Sequence, residues 1–184
     1  MQPAKDGPST SAYDGKLSLE IENFSDLNET VRGPLVCVGN VNWRIMITPR
    51  NHKIQKKGMQ KCVGFFLECC PGSAATNADW SCEASAALCM ISQDNGDDVV
   101  RKVKHVFTPK KTDWGYSCFL TWMEVSDEKY GFIKDGTVIV DVFVKVEQTT
   151  NIDVTLKEDC NEEEDWVKAE LETEIKELKA LELN

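Results

Sequence analysis

The sequence predicts an all-β fold: an antiparallel sandwich followed by an acidic α-helical tail. Seven or eight short stretches alternate apolar and polar residues with period two, each bounded by turn-forming residues. No amphipathic helix separates them, and strands without crossover helices cannot build a parallel sheet. Only beyond residue 160 does the apolar spacing become helical.

In chain order, residues 1–15 are rich in Pro, Gly, Ser and Thr and read as a flexible leader. Leu17, Leu19 and Ile21 alternate with Ser18, Glu20 and Glu22, the pattern of a half-buried strand. Trp43, Ile45 and Ile47 repeat it, and Pro49 is expected to stop it. Cys62 to Cys69 is nearly continuous apolar sequence, as in a strand covered on both faces. Cys82, Ala84, Ala86, Leu88 and Met90 line one face of the next strand. Val99 to Phe107 carries interleaved basic residues, Phe119 to Val125 reads as another strand, and Val138 to Val146 closes the series. Loops are expected at Asn51–Gly58, Pro71–Asn77, Gln93–Asp98 and Thr108–Thr112. Residues 16–147 are thus assigned to the sandwich, 148–160 to a linker and 161–184 to an acidic amphipathic helix. That helix has a capping-box start at Asn161–Glu164 and an apolar stripe of Leu171, Ile175, Leu178 and Leu181.

Composition narrows the function. The 184 residues are 41% hydrophobic, enough for a real core. The formal charge of −10 is concentrated at one end: residues 151–184 contribute −8, and residues 1–150 only −2. A nearly neutral folded part argues against nucleic acid as the main partner. No apolar run approaches the roughly 18 residues of a membrane helix, and no signal peptide is expected, so neither a membrane nor secretion is anticipated. The eight cysteines include no C-x-x-C pair. Zinc is therefore not expected, and the thiols read as reduced, mostly structural side chains of a nuclear or cytoplasmic protein. No cofactor and no catalytic constellation is expected; His52 and His105 adjoin no nucleophile in the sequence.

The segment Thr112-Asp113-Trp114-Gly115-Tyr116-Ser117-Cys118-Phe119 stands out. Trp and Tyr beside a glycine put large amphipathic rings where a backbone can approach closely, and Asp113 adds a fixed acceptor. This combination suits a grip on an extended peptide. For Trp43, Trp80 and Trp122 a core position is expected from their strand settings. The basic residues Lys53, Lys56, Lys57, Lys61, Arg101, Lys102 and Lys104 read as solvated faces that could steer acidic peptides.

Taken in order, these pieces form a pattern: Ile21-Glu22-Asn23-Phe24-Ser25, Trp43-Arg44-Ile45-Met46-Ile47-Thr48-Pro49, Val63-Gly64-Phe65-Phe66-Leu67, Asp113-Trp114-Gly115-Tyr116 and Gly131-Phe132-Ile133-Lys134-Asp135-Gly136-Thr137. Over about residues 16–147 the sequence resembles the MATH (meprin and TRAF-C homology) family. Within it, the likeness is to the N-terminal substrate-recruiting domains of herpesvirus-associated ubiquitin-specific proteases, with which Trp80-Ser81-Cys82 is also shared. The resemblance implies an eight-stranded sandwich that binds short Pro/Ala-x-x-Ser peptides as an added strand. It also implies a peptide-binding set of Asp113, Trp114, Gly115, Tyr116, Ser117, Cys118 and Arg50. Asp113 would accept from the peptide serine, Trp114 would pack on the small residue that opens the motif, Tyr116 would shape the pocket and Arg50 would lie near the groove. The resembled domains carry an asparagine where this chain has Cys118, and a thiol is a poor substitute for an amide.

The implied function is a non-enzymatic interaction module recruiting partners to the ubiquitin system. The alternatives are the targeting part of a ubiquitin-specific protease without its catalytic domain, or a MATH adaptor of a cullin ubiquitin ligase. Self-association or helix docking through the acidic tail is a further expectation from the apolar stripe.

Overall fold

A computed structural model describes residues 12–155 of the chain. Ten strands form two antiparallel sheets, with one short α-helix among the described residues. The strands are β1 (Gly15–Ile21), β2 (Val31–Arg32), β3 (Val36–Val38), β4 (Val41–Ile54), β5 (Gly58–Cys69), β6 (Ser81–Met90), β7 (Val99–Phe107), β8 (Asp113–Thr121), β9 (Ile133–Lys134) and β10 (Thr137–Thr150). The helix α1, Trp122–Ser126, follows β8. The first sheet runs β1-β10-β6-β7 with β9 on β10, and the second runs β2-β4-β5-β8 with β3 on β4. The all-β reading holds; the count exceeds eight because β2, β3 and β9 are two or three residues long.

The alternation seen in the sequence becomes the core. Leu17, Ile21, Trp43, Ile45, Ile47, Phe65, Leu67, Leu88, Phe107, Phe119, Val140 and Val142 interdigitate between the sheets. Burial of such side chains contributes roughly 1.5–3 kcal/mol each and is the main force holding the layers together. Trp43 is fully buried, its indole N–H donating to the Val38 carbonyl at 3.1 Å and its ring edge-on to Phe107. Of the other expected core tryptophans, Trp80 is only partly buried, and Trp122 stacks on Phe24 at 4.5 Å with the Lys61 ammonium 3.8 Å from its ring centroid.

Three local expectations are corrected. Pro49 does not end its strand: β4 continues to Ile54. β2 reaches only as far as Ile47, so beyond it β4 has β5 as its sole sheet neighbour, and the missing proline N–H faces an open side. The expected loop Asn51–Gly58 is therefore mostly hairpin, with Asn51 to Ile54 paired to Lys61 to Gly58. Finally, Phe119–Val125 is not one strand. Glu124 caps Thr121 reciprocally, the carboxylate accepting from the Thr121 N–H at 2.8 Å and the Thr121 hydroxyl accepting from the Glu124 N–H at 3.3 Å, and this starts α1.

The assigned helix 161–184, residues 156–160 of the linker and residues 1–11 of the leader lie outside the described residues, and 148–150 of the expected linker continue β10.

Candidate functional site

β7 ends the first sheet and β8 ends the second, and the turn Thr108–Thr112 joins them along one side of the sandwich. The turn is fixed by a pair of backbone bonds, Thr108 N–H to Lys111 O at 3.1 Å and Lys111 N–H to Thr108 O at 3.0 Å. β8 pairs only with β5, in the register Glu68–Asp113, Leu67–Trp114, Phe66–Gly115 and Phe65–Tyr116. Among the described residues no strand pairs with its other edge, which leaves the template a further strand needs.

Gly115 is required where it stands. A Cβ there would collide with the carbonyl of Phe65 and the Cα of Phe66, so only glycine lets β8 lie this close to β5. Between Val63 and Phe65 the β8 register slips, an irregularity that carries Ser117, Cys118 and Phe119 past the single residue Gly64 of β5.

Next to this edge lies an open depression of about 440 Å³, lined by Phe66, Lys110, Lys111, Thr112, Asp113, Trp114, Gly115 and Ser117. The Asp113 carboxylate makes no hydrogen bond or ion pair among the described residues. Trp114 is 40% exposed, and its inner face lies against the His105 imidazole of β7, centroids 3.9 Å apart and planes 5° from parallel. The Lys111 ammonium is 5.9 Å from the same indole. Arg50 of β4 donates to the Ser117 hydroxyl at 3.2 Å and sits 5.0 Å over the Phe66 ring, which sets it at the rim.

Of the seven residues named from the sequence, Asp113, Trp114, Gly115 and Ser117 thus line one depression, and Arg50 touches two of its lining side chains. Tyr116 turns away: its hydroxyl donates to the Lys102 carbonyl of β7 at 3.0 Å and its ring packs toward Phe119. That contact ties the two sheet edges together. Cys118 is joined to Cys62 in a disulfide, so its sulfur is not a free thiol facing a ligand. This corrects the expectation of reduced cysteines at these two positions. They stand 56 positions apart in sequence, and it is the β5–β8 pairing that brings them together. Cys69, Cys70, Cys82 and Cys89 stay unpaired. Burial pushes the Cys70 thiol up to about 11 and the Cys89 thiol up to about 12, leaving both as inert packing groups.

Sequence reasoning missed three parts of the site. For His105 the sequence shows only that it adjoins no nucleophile, because its pairing with Trp114 depends on two edges meeting across the sandwich. Lys110 and Lys111 read only as loop residues; the Pro109 turn that aims them was visible, but not the depression they line. Phe66 was placed in the strand Cys62–Cys69 without a sign that it faces the site.

An antiparallel sandwich with an open edge at β8, beside a shallow depression that presents Phe66 and Trp114, is a surface suited to protein interaction. Comparison with known proteins points the same way. The MATH domain model matches residues 16–144, and the chain belongs to the MATH domain family, whose members mediate protein–protein interaction. It is 30% identical over 129 residues to ubiquitin carboxyl-terminal hydrolase 7 of Drosophila melanogaster, a match covering 69% of this chain and 10% of that protein. It is 27% identical over 146 residues to BTB and MATH domain-containing protein 38 of Caenorhabditis elegans, covering 79% of this chain and 36% of the relative. The chain therefore spans between a tenth and about a third of these relatives, and the likeness falls on their MATH domains rather than on catalytic domains. Among solved structures, Notothenia coriiceps TRAF5 shares the fold, with a TM-score of 0.53 at 16% identity over 74% of each chain.

Proposed function

We propose that this protein is a recruiting module that binds short extended peptides of the Pro/Ala-x-x-Ser type along the free edge of β8. The observation that carries the reading is the unpartnered Asp113 carboxylate beside the half-exposed face of Trp114, at an edge that no described strand pairs. An added strand supplies main-chain hydrogen bonds, Asp113 accepts from a peptide hydroxyl, and the Trp114 face receives a small apolar side chain. Gly115 lets β8 lie close against β5, which holds the strand whose free edge receives the peptide. A site this open predicts micromolar affinity, on the order of −8 kcal/mol or weaker.

The likeness to a ubiquitin hydrolase and to a BTB and MATH protein supports a place in the ubiquitin system. There the module delivers partners either to a deubiquitinase or to a ubiquitin ligase, and it contributes binding rather than chemistry. Fluorescence polarisation of the full chain with a labelled Pro-x-x-Ser peptide, beside its Ser→Ala control, tests the reading. Saturable binding that is lost in the control and in Asp113→Ala supports it. Equal binding of both peptides refutes a serine-reading groove.

A further inference from the structure

We propose that the Lys110–Lys111 end of the depression is an anion-reading subsite, which takes a carboxylate or phosphate group carried by the bound peptide beside its motif serine. The inference rests on the peptide-binding reading above and specifies the chemical class of the ligand.

Both lysines line the same depression as Asp113, Trp114 and Ser117. Neither is in an ion pair among the described residues, where Lys16, Arg32, Arg44, Lys104 and Lys129 take the carboxylate partners. They stand on a turn closed by two backbone hydrogen bonds, with the Thr108 hydroxyl also accepting from the Lys111 N–H at 3.3 Å. Their backbone positions are therefore set before any ligand arrives, which lowers the ordering cost of contact. Asp113 is the only carboxylate in the lining, and Arg50 stands at the rim through its bond to Ser117. In a chain of net charge −10 this is a locally cationic groove with a single acidic point. An extended peptide rises about 3.3 Å per residue, so a side chain within about three positions of the serine at Asp113 comes within reach of the lysines.

The arrangement makes the effect of an anion depend on its position. A phosphate on the motif serine would meet the Asp113 carboxylate and be repelled. The same phosphate, or a glutamate, a few residues away would meet two ammonium groups. A single modification could therefore switch recruitment in either direction according to which hydroxyl carries it.

The test titrates the full chain with four labelled peptides: the neutral Pro-x-x-Ser parent, the parent with a glutamate flank, the parent with a phosphoserine flank, and the parent phosphorylated on the motif serine. Each is measured at low and high salt, together with the variant K110Q/K111Q. The expected result is about three- to tenfold tighter binding for an anionic flank at low salt, shrinking toward parity at high salt. The double variant should abolish the ratio between acidic and neutral peptides, and phosphate on the motif serine should weaken binding. A gain with phosphoserine alone identifies a phosphoryl reader, and a gain with glutamate as well identifies a general anion site. Equal binding of neutral and acidic-flank peptides overturns the subsite while leaving the groove intact, as does a gain that survives K110Q/K111Q. Tighter binding of every peptide by the double variant also overturns it, since the lysines would then be holding the chain's own acidic stretch. If none of the four peptides binds, both the groove and the subsite fall.

Discussion

The imidazole of His105 lies flat on the indole of Trp114, 3.9 Å between centroids, and so joins the last strand of one sheet to the last strand of the other. The contact fixes the plane of the ring that the candidate groove presents to solvent. His105 also packs edge-on to the buried Phe107, and its Nε2 is buried without a hydrogen-bond partner. Burial first, and the nearby Lys111 charge second, hold its pKa below the ordinary value of 6.5, with Asp113 opposing.

A pH dependence follows. A histidine whose pKa is lowered by folding binds its proton more readily in the unfolded chain, so acid favours unfolding. Stability should be level above about pH 6.5 and fall as the pH drops from there through the lowered folded value. Thermal unfolding of the wild type and of His105→Phe at about pH 7.5 and about pH 5.5 checks this; the variant should lose less on acidification. An equal loss in both would place the pH sensitivity elsewhere.

Gly115→Ala should be costly out of proportion to one methyl group. The obstacle is the Phe65–Phe66 backbone, which cannot rotate aside, so β8 must move off β5. We expect a loss of roughly 2 kcal/mol or more in urea unfolding, together with lost peptide binding.

Asp113→Ala should behave in the opposite way. With no hydrogen bond to lose in the fold, it should change stability by less than about 0.5 kcal/mol while weakening peptide binding. Parallel denaturation and binding curves separate the two effects.

The Cys62–Cys118 bond closes a loop across β5 and β8 with a sequence separation of 56. Chain-entropy reasoning gives about 4 kcal/mol for a loop of that size, with native strain subtracting from it. Reductant should lower the melting temperature of the wild type and leave that of Cys118→Ser unmoved. Identical melting of the wild type with and without reductant would show that the bond adds no stability.

Much of the fold was legible because period-two alternation is a direct consequence of one face meeting a core. Val99–Phe107 was read at its observed bounds for that reason. The errors came where a local rule yields to a neighbour. Pro49 is tolerated because β2 stops short of it, which no single-strand pattern reveals. The turn into α1 was written in Thr121 and Glu124, but the apolar residues between them masked it. At the site, the segment carrying Asp113, Trp114 and Gly115 stood out by residue type, but not as a strand: the expected strand began at Phe119, whereas β8 begins at Asp113. Its counterpart did not stand out: His105, Lys110 and Lys111 reach the site only because two sheets end side by side.

A bound partner peptide should extend the second sheet at β8. Amide hydrogen exchange of the full chain, with and without a saturating Pro-x-x-Ser peptide, tests it most directly. Added protection should be confined to Asp113–Thr121 and the adjoining turn, with β1 at the far edge of the other sheet unchanged. Protection that falls elsewhere while β8 still exchanges freely would contradict it.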